Sequence, residues 1–96
     1  MTIKLYWESP YETKFSAKVK SIEENGIVLD RTLFYPEGGN QLSDRGHLEI
    51  KEFNIKIEMV SKQGDDIVHH SNALDKDKIE VGDKVNGEID WHCRGN

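Results

Sequence analysis

Apolar side chains recur at every second position in three separate stretches of this chain, and no other feature limits its fold as tightly. Phe15, Ala17 and Val19 alternate with Ser16, Lys18 and Lys20, and Phe53, Ile55, Ile57 and Met59 alternate with Asn54, Lys56 and Glu58. Val85, Gly87, Ile89 and Trp91 continue the pattern near the end. Successive side chains of an extended strand point to opposite faces, so each stretch reads as a strand with one buried face. Ile22 falls out of phase with the first stretch, as a bulge or a strand end would place it. No window carries a sustained helical stripe, and a short helical turn over Asp75 to Lys78 is the only helical expectation.

Turn residues punctuate these runs. Asn25-Gly26 predicts a type I′ hairpin, because both residues tolerate positive φ. Gly46 precedes His47-Leu48-Glu49-Ile50, Gln63-Gly64-Asp65 precedes Ile67 and Val68, and Asn72 to Lys78 is the longest loop candidate. Short strands separated by turns, without internal repeats, predict an all-β fold, and a small antiparallel β-barrel is preferred to a sandwich because closure hides strand edges. Phe15, Val19, Leu33, Phe34, Ile55, Ile57, Val85 and Ile89 are the expected core. At 96 residues the chain is expected to form a single domain over 1–96 with a modest core.

Charge and cysteine usage narrow the function. A formal charge of −5 argues against a domain that grips RNA backbone by itself, since that affinity comes largely from Lys and Arg displacing counterions. The cluster Lys14, Lys18, Lys20 and the acidic group Asp65, Asp66, Asp75, Asp77, Glu80 and Asp83 read first as solvated faces. Cys93 is the single cysteine, so no intrachain disulfide can form, and a cytoplasmic location is expected. No run approaches the roughly 18 apolar residues of a membrane span, so no membrane partner is expected.

The segment Leu33-Phe34-Tyr35-Pro36-Glu37-Gly38-Gly39-Asn40-Gln41-Leu42-Ser43-Asp44-Arg45-Gly46 holds the functional signal. Paired glycines let backbone N–H groups approach a ligand closely, Pro36 stiffens the entry, Gln41 can donate and accept, and Arg45 suits a phosphate. Taken alone, Gly38-Gly39 is more often a tight turn beside a buried aromatic pair. The whole segment, however, resembles the glycine-rich motif of AlaX-type alanyl-tRNA editing proteins and of the matching region of alanyl-tRNA synthetase. That motif reads approximately Phe-Tyr-Pro-Glu-Gly-Gly-Gly-Gln-Pro-Ser-Asp-Arg-Gly. Asn40 stands where its third glycine is expected, and Leu42 where a proline is expected. Asp66-Ile67-Val68-His69, Val81-Gly82-Asp83-Lys84-Val85 and Ile89-Asp90-Trp91-His92-Cys93-Arg94 resemble later segments of the same family.

The resemblance implies a β-barrel like the second domain of translation elongation factors. It also implies an accessory role in alanyl-tRNA editing, in which Gly38, Gly39, Asn40, Gln41 and Arg45 help position the aminoacylated 3′ end of tRNA for alanine. Zinc-dependent deacylation would then belong to a catalytic half that the resemblance places beyond Gly95-Asn96. The chain is accordingly expected to hold no cofactor and no metal, and to be inactive alone. The competing reading is a non-catalytic protein-interaction module, or an inactive remnant of an editing protein.

Two other chemistries have the residue types but not the spacing. His47, His69, His70, His92 and Cys93 invite a zinc site, but none pair at i,i+4 on a helix, and His69 and His70 would face opposite sides of a strand. Ser43, Asp44 and His47 have the composition of a triad but crowd into one turn, where Ser43 and Asp44 more naturally cap it.

Overall fold

The computed structural model describes residues 2–8, 11–24, 26–38, 42–72, 74 and 76–90. Its strands are β1 (Ile3–Lys4), β2 (Lys14–Ile22), β3 (Gly26–Leu29), β4 (Arg31–Thr32), β5 (Gly46–Ile50), β6 (Phe53–Ile57), β7 (Met59–Gln63), β8 (Asp66–His70) and β9 (Lys84–Ile89). Among the described residues the only helical turns are of 3-10 type, at Leu5–Trp7 and Lys76–Lys78. The chain is thus all-β, and its second helical turn falls where the sequence allowed one.

Seven strands form one sheet in the order β6-β5-β9-β2-β3-β8-β7, while β1 and β4 pair separately and in parallel. The seven-stranded sheet is antiparallel throughout. Strand β2 changes neighbours along its length. Lys14 to Lys18 pair with β9, and Val19 to Ile22 pair with β3 after a register shift between Val19 and Ser21. That irregularity is the break in phase that Ile22 announced.

The expected closed barrel is not what the ladder shows. Strands β6 and β7 occupy the two ends of the order, and no ladder joins them. The reason is covalent: Glu58 alone separates them, so they lie end to end instead of side by side. The two edges of the sheet are held near one another by an elbow in the chain. This elbow also corrects the alternation read over Phe53 to Met59. Ile55 and Ile57 are buried, but beyond Glu58 the phase flips, so Val60 is buried while Met59 is 37% exposed; Phe53, in phase at the start of β6, is equally exposed.

One core joins both halves of the sheet, combining Leu48, Ile50, Ile55, Ile57, Val85 and Ile89 with Val19, Ile27, Leu29, Val60 and Ile67. Leu33 and Phe34 cross it from the connection after β4. Of the expected core, only Phe15 is half-buried, packing edge-on against Phe34 at 5.9 Å. Strand β3 is buried at every position, so Ile27-Val28-Leu29 carries no alternation that would mark it as a strand.

The hairpins follow their turn chemistry in part. Gln63 pairs with Asp66, leaving Gly64 at φ +62° as the first turn residue, the type II′ arrangement. Between β2 and β3, Ile22 pairs with Ile27 and the Glu23 N–H donates to the Gly26 carbonyl at 2.8 Å. Gly26 therefore belongs to the strand and not to the centre of the turn, and its φ is not positive. It is glycine for another reason: a Cβ there would meet Val68 Cγ1 at 2.5 Å and the His69 carbonyl at 3.0 Å. Asn25, the other half of the predicted type I′ pair, lies outside the described residues.

Candidate functional site

The glycine-rich segment leaves the core at Phe34 and returns to it at Ser43, and two short locks close its neck. The Tyr35 N–H donates to Asp44 Oδ2 at 2.9 Å, and the Asp44 N–H donates to the Tyr35 carbonyl at 3.0 Å. Beside them the Val60 N–H donates to Ser43 Oγ at 3.0 Å, and the Glu37 N–H donates to the Val60 carbonyl at 2.8 Å. Strand β7 is an edge strand, and the segment uses its free backbone groups as an anchor. Ser43 and Asp44 are buried, and their side chains tie the segment to β7 and to Tyr35 instead of capping a local turn.

The residues singled out in this segment fare differently. Gly38 is exposed, its φ is not positive, and among the described residues nothing lies within 4 Å of where its Cβ would stand. Among the described residues, neither packing nor backbone strain asks for glycine there. Gly39, Asn40 and Gln41 lie outside the described residues. Arg45 is exposed beyond the neck, where its carbonyl accepts the Asp90 N–H at 2.6 Å. It lines a depression with His47, Lys56, Glu88 and Asp90, whereas Gly38 lines another with Lys4, Tyr6, Trp7 and Tyr35. The fold therefore separates two residues that the linear motif grouped. Gly46, the last residue of the motif, is structural: a Cβ on it would run into the Glu88 carbonyl and stand 2.9 Å from Ile89 Cα.

The depression at Gly38 contains a feature that alternation could not expose. Tyr6 and Trp7, on the 3-10 turn after β1, meet Tyr35 of the motif, with centroid separations of 4.9 Å and 6.0 Å in edge-on arrangements. Tyr6 and Trp7 themselves stand 5.3 Å apart. Burial, and then Tyr35 beside it, push the Tyr6 phenol above its ordinary pKa, so it stays neutral at physiological pH. Trp7 remains 69% exposed. The only sequence signal was the Tyr-Trp pair itself, because contact with Tyr35 depends on β1 pairing with β4.

The described histidines do not converge. His69 is fully buried; its Nδ1 lies 2.9 Å from the Ile27 carbonyl and its Nε2 lies 2.8 Å from Thr32 Oγ1. A carbonyl can only accept, so Nδ1 carries the proton and the Thr32 hydroxyl donates to Nε2. The same hydroxyl oxygen accepts the Phe34 N–H at 3.0 Å, which ties the start of the glycine-rich segment to β8. Burial holds the imidazole pKa down to about 4; the Ile27 carbonyl opposes this and His70 adds to it. His70 Nε2 lies 2.7 Å from Ser61 Oγ, and His47 Nε2 lies 3.4 Å from Glu88. Among the described residues no three of His, Cys, Asp or Glu are placed to hold a metal ion, so they do not fit a zinc site. His92 and Cys93 lie outside those residues. Lys20 and Lys14 of the basic cluster face Asp66 at 2.6 Å and Glu88 at 3.9 Å, in keeping with a solvated face. No helix among the described residues is long and apolar enough to cross a membrane.

Comparison with known proteins covers nearly the same span. The family profile described as tRNA synthetases class II (A) matches residues 5–93. An alanine–tRNA ligase of Sulfurisphaera tokodaii is 43% identical over 97% of this chain, which corresponds to 10% of that enzyme. Those of Methanothermobacter thermautotrophicus and Metallosphaera sedula are each 42% identical, over 90% and 94% of this chain and over 9% and 10% of the enzymes. The chain thus spans about a tenth of the length of the curated relatives it matches. By the extent of these matches, the chain belongs to the class II (A) tRNA synthetase family and is related to alanyl-tRNA synthetases.

Proposed function

We propose that this chain is an accessory module of alanyl-tRNA editing: it presents the aminoacylated 3′ end of tRNA for alanine to a zinc-dependent deacylase domain supplied by another part of the same system. In this reading residues 1–96 form a single domain, and the chain needs no cofactor of its own. Gly38, with Gly39, Asn40 and Gln41, offers backbone to the terminal ribose and ester, and contributes orientation without bond-breaking. Arg45 acts on the far side of the neck, on a phosphate further along the strand. The observation that carries the reading is Gly38: among the described residues neither packing nor φ requires a glycine there, and close approach of a ligand gives it a physical reason.

The test joins this chain to such a deacylase domain and measures hydrolysis of Ser-tRNA specific for alanine. Gly38→Val should leave stability unchanged while slowing deacylation roughly tenfold or more, as a misplaced substrate would. Asn40→Gly should speed deacylation by reopening the backbone. Unchanged rates for both, and for Gln41→Ala, would leave the segment a structural turn. The formal charge of −5 favours a second reading, a protein-interaction module, in which tRNA binds neither the chain nor its fusion through this face.

A further inference from the structure

Resting on the tRNA reading above, we propose that the depression at Trp7 is a stacking site for a single unpaired nucleobase of RNA, with Lys4 and Lys62 receiving its flanking phosphates. Trp7 is 69% exposed, yet two rings fix its place. Tyr6 at 5.3 Å and Tyr35 at 6.0 Å brace it, and Tyr6 is itself buried. A braced, exposed indole loses little freedom when a second flat ring settles on it, and base–aromatic stacking is the sequence-tolerant way to hold an unpaired base.

The charges beside it select the ligand. Lys4 comes from β1 and Lys62 from β7, and both line the depression on a chain whose net charge is −5. Glu37 is the one acidic residue in the described lining. A proline-rich peptide also docks on aromatic grooves, but its backbone offers two ammonium groups only neutral carbonyls, whereas a nucleotide brings an anionic phosphate with its base. The depression encloses 280 Å³, which is about the lower end of small-molecule sites and suits one base better than a run of them. Gly38 forms part of its rim, so a strand whose base stacks on Trp7 would lead directly onto the glycine-rich segment.

The test is a titration of the 96-residue chain with single-stranded oligoadenylate at low salt, followed by NMR at the Trp7 indole N–H, assigned by its loss in Trp7→Phe. The Trp7 resonance should shift saturably. Trp7→Ala should weaken binding roughly tenfold or more, and Trp7→Phe should retain most of it. Lys4→Ala and Lys62→Ala should each lower the salt slope by about 1. Spectral dispersion shows that each variant is folded. An unmoved Trp7 resonance at saturating RNA, equal affinity in a folded Trp7→Ala variant, or saturation by a proline-rich peptide where oligoadenylate has no effect would each overturn the proposal. Loss of editing in Gly38→Val with Trp7→Ala binding RNA normally overturns this inference alone. Trp7-dependent RNA binding with unimpaired Gly38→Val editing supports it while removing the editing role.

Discussion

Two residues hold conformations or protonation states that the rest of the fold must enforce. His69 is kept neutral by burial, with its pKa near 4 against an ordinary 6.5. The unfolded chain takes up a proton below pH 6.5 and the native one does not until about 4, so the His69 contribution is complete above 6.5 and disappears as pH falls through that window. The total loss is on the order of 3 kcal/mol. Urea unfolding at pH 7.5 and 4.5 should show it, and the His69 ring resonances should not titrate between pH 7 and 5. Native titration near 6.5 would show that the ring is not sealed. Lys51 is the one non-glycine residue among those described with positive φ, at 56°, in the turn between β5 and β6. Its Nζ reaches Asp83 at 3.4 Å, a pair half open to solvent and of small worth. Lys51→Gly removes the Cβ conflict but frees the unfolded chain, so chemical denaturation should find it stabilised by less than about 1 kcal/mol. Destabilisation beyond about 1 kcal/mol would mean that the contact with Asp83 outweighs the strain.

At the scale of elements, two glycines of one motif separate structure from function. Gly46 lets β5 lie against the backbone of β9, with no room for a Cβ beside Glu88 and Ile89. Gly46→Ala must push the strands apart, and a loss of about 2 kcal/mol or more is expected. Gly38→Ala meets no described neighbour within 4 Å, and its effect on unfolding should stay within about 0.5 kcal/mol. Equal costs at the two positions would contradict this division. The neck between them explains how an irregular segment stays placed: Ser43, Asp44 and Glu37 all tie it to ordered backbone, two of these ties reaching the edge of β7.

Across the whole molecule, Ile57 sits fully buried beside the Glu58 elbow, where the two ends of the sheet meet through the chain. The core is small, so one side chain at this junction carries a large share of stability. Ile57→Ala should cost on the order of 2 to 4 kcal/mol by denaturant titration. A change of only a few tenths would mean that the junction collapses around the gap without strain.

Alternation in the sequence alone determined the all-β class, the location of β2, β6 and β9, and five buried core residues, Val19, Ile55, Ile57, Val85 and Ile89, with Phe15 half-buried; Leu33 and Phe34, expected in the core from the motif's own apolar start, are buried as well. It did so because a strand with one wet face must place apolar residues at period two. The same logic failed at β3, where burial on both faces erases the period, and at Glu58, where an elbow reverses it. The glycine-rich segment was legible as a motif because its chemistry is local. Its division into a buried lock at Ser43 and Asp44, a packed Gly46 and an open Gly38 was not, since the Ser43 tie depends on β7 and the packing of Gly46 on β9, strands outside the segment. The Tyr6, Trp7 and Tyr35 cluster and the sealed His69 belong to the same class. Sequence spacing sets which face a side chain takes, but only the folded chain decides what that face meets.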